Sequence, residues 1–327
     1  MLTELDPPQN ASVQEPGMHW LLDRFASASP DLIAFVHKGR PTSYAEVSRS
    51  IAGFTQQLQD HGVQRGDTVV VVADYAPDVF CMILALASLA CTVVPMTRGS
   101  VIEESEALAI SGSDHAISFA PDGLSWAIEA RHVPAPNALL AEFRATGRAG
   151  LVLFSSGSTG KPKGMLHDFE RVMEKFRTVR KPVVAIPFLM LDHFGGINTI
   201  LAITASLGTV VTTENRAIAT ICEAIQACKV DLLPTTPSFL TLLAATDLPA
   251  RYDLSSLKRI TYGTETMPQA TLDRGYAIVR LAADGTIVRD PAEAPPGSGL
   301  RIRVARGEFD ATATDGPDPA RRDPSRS

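Results

Sequence analysis

The 327-residue sequence contains only four cysteines, and no two of them form a Cys-x-x-Cys pair. Cys81, Cys91, Cys222 and Cys228 stand in apolar or helix-like surroundings. Neither a zinc site nor a disulfide framework is indicated, and buried thiols in a reducing, cytoplasmic setting are expected. Positive charge is not in excess either: the formal net charge is -6, which removes the electrostatic argument for nucleic acid or an anionic membrane as the main partner. Residues 1–17, MLTELDPPQNASVQEPG, are acidic where a secretory signal is basic and lack an apolar run, so they read as an N-terminal extension without an export role. There is no internal repeat, heptad run or zinc-ligand spacing. A small molecule is the default partner of such a chain.

One apolar run, VFCMILALASLACTVVPM at 79–96, is long enough to raise the question of a membrane span. Pro77 stands at a helix-start position ahead of good helix formers, whereas CTVVPM is a β-branched run closed by proline. The segment is therefore expected to be a helix over 77–89 followed by a buried strand, with no membrane span. The same alternation continues along the chain. DTVVVVA, TVVPM, HAISFA, LVLFSS, PVVAIPF, GTVVTT and VDLLPTT read as strands, with helices near 44–60, 168–178, 196–206 and 217–228 and a linker at 132–149. This is the pattern of an α/β fold, with mostly parallel sheets covered by helices. Beyond residue 274 apolar and polar residues alternate between turn signals at Asp284-Gly285 and Pro296-Gly297, which predicts antiparallel hairpin structure. Residues 318–327 are proline-rich and charged, and are expected to be disordered.

The stretch LVLFSSGSTGKPKGMLHD, 151–168, sets an apolar strand against a run of Ser, Gly, Thr, Lys and Pro. The hydroxyls of Ser155, Ser156, Ser158 and Thr159 and the backbone N–H groups exposed by Gly157, Gly160 and Gly164 can converge on an anion. Lys161 and Lys163 bring positive charge to the same place, and phosphate is the natural guest. The same composition also suits a plain surface turn. The loop is not a nucleoside-triphosphatase P-loop, because Gly157 and Gly160 are too close together and Lys161 is followed by proline.

SSGSTGKPKG resembles the phosphate-binding signature of the adenylate-forming superfamily, which includes acyl-CoA synthetases, aryl-CoA ligases and peptide-synthetase adenylation domains. The resemblance covers about 18–273. It includes the Tyr-led helix and Gly-x-x-x-Gly-Asp turn of YAEVSRSIAGFTQQLQDHGVQRGD, and the IPFLMLDHFGGIN segment. It implies ATP, Mg2+ and coenzyme A as cofactors and a small-molecule carboxylate as substrate, activated as an acyl adenylate. Under it, Lys163 contacts the phosphates, His193 is the gate residue at the acyl pocket, and Gly195 and Gly196 allow close backbone approach. Tyr262-Gly263-Thr264-Glu265 lacks one residue of the family's magnesium-binding Tyr-Gly-x-Thr-Glu motif. Its context is similar to the earlier Gly-rich turn that lines the pocket, so Gly263, Thr264 and Glu265 are expected in a pocket wall, and no residue is assigned to a metal.

After 273 the resemblance stops, before the motifs by which the family holds ribose and metal and before its lid lysine. LDRGYAIVRLAADGTIVRDPAEAPPGSGLRIRVARGEFDATATD is similar instead to the extreme C-terminus of the exonuclease VII large subunit, over 274–317, without that nuclease's DNA-binding or catalytic parts. The expectation is a truncated adenylate-forming domain fused to a β-rich tail, with activity impaired or lost and with uncovered apolar surface through which copies associate. The alternatives are a non-catalytic nucleotide- or acyl-binding remnant and, less favoured, an exonuclease VII-related fragment.

Overall fold

The computed structural model describes residues 18–100, 102–131, 138–155, 162–263, 278–286, 288, 293–304 and 307–313. It divides into two compact units, Met1–Pro182 with Met190–Gly208, and Val183–Leu189 with Thr209–Ser327.

The first unit opens with α1 (His19–Ala26) and the antiparallel pair β1 (Ile33–His37) and β2 (Arg40–Ser43). Lys38 and Gly39 join the pair at φ 50 and 75, the left-handed pair that a two-residue hairpin turn needs. α2 (Tyr44–Asp60) starts in a capping box. Glu46 N donates to Ser43 Oγ at 3.2 Å, and Ser43 N donates to Glu46 Oε2 at 2.7 Å. Two of the helix's orphan donors are satisfied in this way. Tyr44, Val47, Ile51, Phe54 and Leu58 form its buried stripe, at the spacing of one helical face.

Next come β3 (Thr68–Val72), α3 (Pro77–Ser88) and β4 (Thr92–Met96). The long apolar run thus splits into helix and strand as expected, and no helix among the described residues is long and apolar enough to cross a membrane. α4 (Glu104–Ser111), β5 (His115–Phe119) and β6 (Trp126–Ala130) follow, then α5 (Ala138–Ala145), β7 (Gly150–Ser155), β8 (Lys163–Asp168), α6 (Phe169–Glu174) and α7 (Phe194–Ala205). The sheet runs β6-β5-β3-β4-β7-β8. Its inner four strands are parallel, and β6 and β8 are antiparallel at the edges. Strands hidden on both faces need continuous apolar sequence, which is what Thr-Val-Val-Val-Val supplies in β3.

The structure corrects the linker reading of 132–149, because α5 lies within it. Leu140 is the helix's buried residue. From Arg144, Nη2 donates to Asp114 Oδ2 and, at 2.9 Å, to Thr68 Oγ1. Asp114 Oδ2 also accepts from Thr68 N at 2.7 Å. Leu140 is buried and Phe143 and Arg144 are half-buried, and so short a helix shows too little of a helical period in the sequence. The helix expected at 168–178 stops at Glu174. Beyond it, Arg24 donates to the carbonyls of Phe176 and Arg177, at 3.4 and 3.1 Å, and to that of Ala205 at the end of α7.

The second unit contains β9 (Val184–Ala185), β10 (Thr209–Thr212), α8 (Ile218–Cys228), β11 (Leu232–Thr235), α9 (Pro237–Ala244) and β12 (Arg259–Tyr262). Its parallel strands lie in the order β12-β11-β9-β10. PVVAIPF yields only the two residues of β9, since Pro182 and Pro187 on either side have no N–H to give a ladder. The tail forms a separate antiparallel sheet, β13 (Ile278–Leu281), β14 (Gly299–Val304) and β15 (Gly307–Thr312), in that order. Both predicted turns are present, with Gly285 at φ 75 and Gly297 at φ 90. The hairpin reading gains a third strand. The expectation for 318–327 falls outside the described residues.

Cys81, Cys91 and Cys222 are buried and Cys228 is half-buried. Burial, with Asp67 and Asp114 nearby, pushes the Cys91 thiol up to about 12, so it stays protonated at neutral pH.

Tyr44 is fully buried, and its hydroxyl donates to Gly208 O at 2.7 Å, with Thr204 O at 3.3 Å. Tyr44→Phe keeps the packing and leaves these carbonyls without that donor. A loss on the order of 1–2 kcal/mol is expected, read as a lower urea midpoint with an unchanged slope.

Candidate functional site

Because β3, β4, β5 and β7 are parallel, their carboxyl ends share one edge. From β3 the chain crosses through α3 to β4, and from β4 it returns through α4 to β5 on the other side of β3. Connections that leave neighbouring strands in opposite directions open a crevice between them, the usual ligand position in such sheets. A cleft of about 530 Å³ lies there, lined by Val72, Met96, Thr97, Arg98, Ser118 and Phe119 among others. Its size suits a small molecule.

At the same edge β7 delivers the Gly/Ser-rich loop. Leu151, Val152, Leu153 and Phe154 are buried, and the expectation of a buried strand over 151–154 holds. The hairpin register pairs Ser155 with Lys163, so the Gly/Ser-rich connection narrows to the residues between them. Lys163 and Gly164, expected in the loop, instead open β8, where both are exposed. Ser156, Gly157, Ser158, Thr159, Gly160 and Lys161 lie outside the described residues. Gly164 has a packing reason: a Cβ there would come 3.3 Å from Phe154 and 3.3 Å from Val152.

α7 begins next to this hairpin. His193 is its N-cap residue, at φ -103 and ψ 145; its side chain is exposed and makes no capping hydrogen bond. His193 N donates to Met190 O at 3.1 Å, and Gly196 N donates to His193 O at 2.9 Å. The Phe194 ring lies 5.5 Å from the His167 ring of β8, and Lys175 Nζ stands 5.1 Å from its centroid. Burial, and after it the charge of Arg180, holds Lys175 below the ordinary lysine value.

Gly195 O accepts from Thr199 Oγ1 at 2.7 Å. A Cβ on Gly196 would lie 1.8 Å from Met190 O and 2.6 Å from the Tyr75 hydroxyl. The close approach that Gly196 permits is therefore made by the protein's own chain. Asp192, just before His193, is 8% exposed, and its Oδ2 accepts from Thr97 Oγ1 at 2.9 Å. Sequence reasoning passed over Asp192, Thr97, His167 and Tyr75. An acid beside a histidine in an otherwise apolar run was the one visible signal.

Gly263 lies in the second unit, directly after β12, where a Cβ would meet nothing within 4 Å. Thr264 and Glu265 lie outside the described residues. Among the described residues there is no group of three or more His, Cys, Asp or Glu placed to hold a metal ion. The exposed Lys163 paired with Ser155 at the loop's mouth does fit a phosphate-bearing nucleotide.

These features define an α/β ligand-binding domain with its site at the carboxyl edge of a parallel sheet. The profile of the AMP-binding enzyme family matches residues 22–117 and 116–284, and the chain belongs to that family. Feruloyl-CoA synthase from Amycolatopsis sp is 27% identical over 299 residues, covering 82% of this chain and 60% of that protein. The exodeoxyribonuclease 7 large subunit of Clavibacter michiganensis is 57% identical over 47 residues, which are 14% of this chain and 10% of the nuclease subunit. The chain thus spans 60% of the first relative and 10% of the second. Among solved structures, the inhibitor-bound N-terminal domain of FACL13 from Mycobacterium tuberculosis superposes with a TM-score of 0.64 at 18% identity, covering 90% of each chain. O-succinylbenzoate coenzyme A synthetase from Bacillus subtilis, in complex with AMP, gives 0.61 at 16% identity, covering 88% of this chain and 70% of that one. At these identities the two structures establish the fold.

Gly196→Ala places a methyl group against a backbone carbonyl that cannot rotate away. A destabilisation of roughly 3 kcal/mol is expected, measured by urea unfolding. Gly263→Ala, which meets open space, is the control and should change stability little.

Proposed function

We propose that this chain binds ATP and activates a carboxylic acid as its acyl adenylate. The carrying observation is the β7–β8 hairpin, which sets Ser155 opposite Lys163 and carries SSGSTGKPKG at the mouth between them. In the reaction a carboxylate oxygen attacks the α-phosphorus, the bond to the β-phosphate oxygen breaks, and pyrophosphate leaves. Loop N–H groups, hydroxyls and Lys163 take up the charge of the leaving pyrophosphate; Mg2+, when bound with the nucleotide, supplies further charge neutralisation. Lys161 and the Gly157/Gly160 backbone are assigned to the same phosphates, and His193, with Gly195 and Gly196 behind it, to the border of the acyl pocket. Gly263, Thr264 and Glu265 are assigned to a pocket wall. An acyl- or aryl-CoA ligase would then pass the acyl group to the thiol of coenzyme A, releasing AMP. Feruloyl-CoA synthase among the relatives is the reason aryl acids belong in the substrate panel.

The second reading is a nucleotide- or acyl-binding remnant. It is favoured by the antiparallel tail that follows about residue 273, by that tail's likeness to the exodeoxyribonuclease subunit, and by the lack, within these 327 residues, of the ribose, magnesium and lid-lysine motifs. Each missing contact removes transition-state stabilisation. A nuclease fragment is the least favoured reading, since the matched 47 residues bring no catalytic constellation. On the leading reading, the missing contacts leave binding and weaken catalysis, and apolar surface left uncovered promotes self-association.

The test is ATP titration followed by carboxylate-dependent pyrophosphate exchange with fatty, aryl and amino acids. ATP binding with exchange far below that of a complete ligase is expected. Lys163→Ala should weaken ATP binding roughly tenfold, as loss of a charged hydrogen bond does, and more than Lys161→Ala. Equal effects of the two substitutions would refute the phosphate assignment, and robust exchange would show that the absent motifs are dispensable.

A further inference from the structure

The turn that presents His193 is fixed at three places, and one of them uses a buried charge. Asp192 and Thr97 are 8% and 5% exposed. Asp192 Oδ2 accepts from Thr97 Oγ1 at 2.9 Å, with Thr97 N at 3.4 Å. Its Oδ1 is buried and makes no hydrogen bond to the described residues. Leu191 beside it is buried as well. Burying a carboxylate among apolar neighbours is costly, and an apolar side chain of the same size would pack there without the penalty. The charge is therefore placed for its hydrogen bonds, which join segments 95 residues apart.

What those bonds join bears on the site. Thr97 is the first residue after β4 and lines the 530 Å³ cleft at the switch point, with Met96 and Arg98 on either side of it. Asp192 immediately precedes the N-cap of α7. On its other flank the turn is held by Gly196, which leaves no room for a Cβ beside Met190 O and the Tyr75 hydroxyl, and by Phe194, whose ring meets that of His167 at a tilt of 45°. The His193 side chain makes no capping bond of its own and is exposed. Its direction is then set by the backbone on either side of it, and the residue before it is the one anchored by charge.

We infer that Asp192 is a positioning residue, clamped by Thr97, that fixes the His193 turn relative to the carboxyl end of β4 and so couples the wall of the cleft to the border of the acyl pocket. This rests on the reading of His193 as an acyl-pocket residue. Asp192 acts through that turn, without touching the reacting atoms.

Three full-length variants test it: Thr97→Val, which keeps the shape and deletes the hydroxyl; Thr97→Ser, which restores it; and Asp192→Asn. Amide hydrogen exchange is followed by mass spectrometry. In Thr97→Val and Asp192→Asn, peptides spanning 190–196 should exchange about tenfold faster, the scale of one lost hydrogen bond. Peptides of β3 and β7 should be unchanged, and Thr97→Ser should match the wild type. Calorimetry then compares AMP with benzoyl and dodecanoyl sulfamoyl adenosine. The variants should lose affinity for the tighter acylsulfamate, by about tenfold on the same scale, and keep their AMP affinity. Unchanged exchange over 190–196, exchange that rises across the whole unit, or Thr97→Ser behaving like Thr97→Val would overturn the clamp. Wild-type protein that binds both acylsulfamates no better than AMP would instead remove the acyl-pocket reading of His193, and the positioning role with it.

Discussion

The first unit depends on β3 being buried along its length and hydrogen-bonded to a parallel neighbour on each side. Val69, Val70 and Val71 are fully buried, paired with Val93, Val94 and Pro95 of β4 and with His115, Ala116 and Ile117 of β5. Parallel neighbours cannot be joined by tight turns, so each strand must be followed by a crossover, and α3 and α4 provide these while covering the sheet. Each parallel strand then ends at the same edge, and that edge collects the loops after β3 and β4, the mouth of the β7–β8 hairpin and the start of α7. The site's position follows from the hydrogen-bond geometry of the strands.

Charge is divided between the two edges. The amino edge is braced by the ion pairs of Arg144 with Asp114 and of Arg148 Nη1 with Asp168 Oδ2 at 2.6 Å, and by a contact of His115 Nε2 with Asp67 Oδ2 at 3.2 Å. Asp67 and Asp114 stand just before β3 and β5, and Asp168 ends the antiparallel β8 beside the start of β7. At the carboxyl edge the described polar contacts are fewer, and the buried one joins Thr97 to Asp192.

The tail obeys a different rule. Across β13, β14 and β15, Val279, Ile302 and Phe309 lie in register, as do Leu281, Leu300 and Ala311, while Arg280, Arg301 and Asp310 share the opposite face. Arg301 Nε meets Asp310 Oδ1 at 3.1 Å. This period-two alternation builds a sheet with one apolar and one charged face, whereas β3 and β4 are apolar throughout. The change from continuous to alternating apolar residues marks where one kind of sheet gives way to another.

Sequence by itself determined the α/β class, because continuous apolar runs of strand length and amphipathic helical stretches are local patterns that report burial directly. It placed β4 to the residue, since Pro77, with the β-branched run after Cys91, splits the long apolar stretch, and it placed a helix near 44–60, whose start the Ser43–Glu46 capping box fixes in the structure. It marked a break in the sheet after Phe154, because Gly and hydroxyl residues are dense there, although Ser155 closes β7 and Lys163 and Gly164 open β8. Tertiary structure alone decided that 138–145 is helical, since the reason is Arg144 reaching Asp114 and Thr68 across the sheet edge. It alone showed that Gly196 is kept for the Met190 carbonyl, that Lys163 and Gly164 belong to a strand, and that Asp192 is tied to Thr97. Each of these rests on a contact between groups distant in sequence or on the path of the backbone, and neither leaves a periodic signal along the chain.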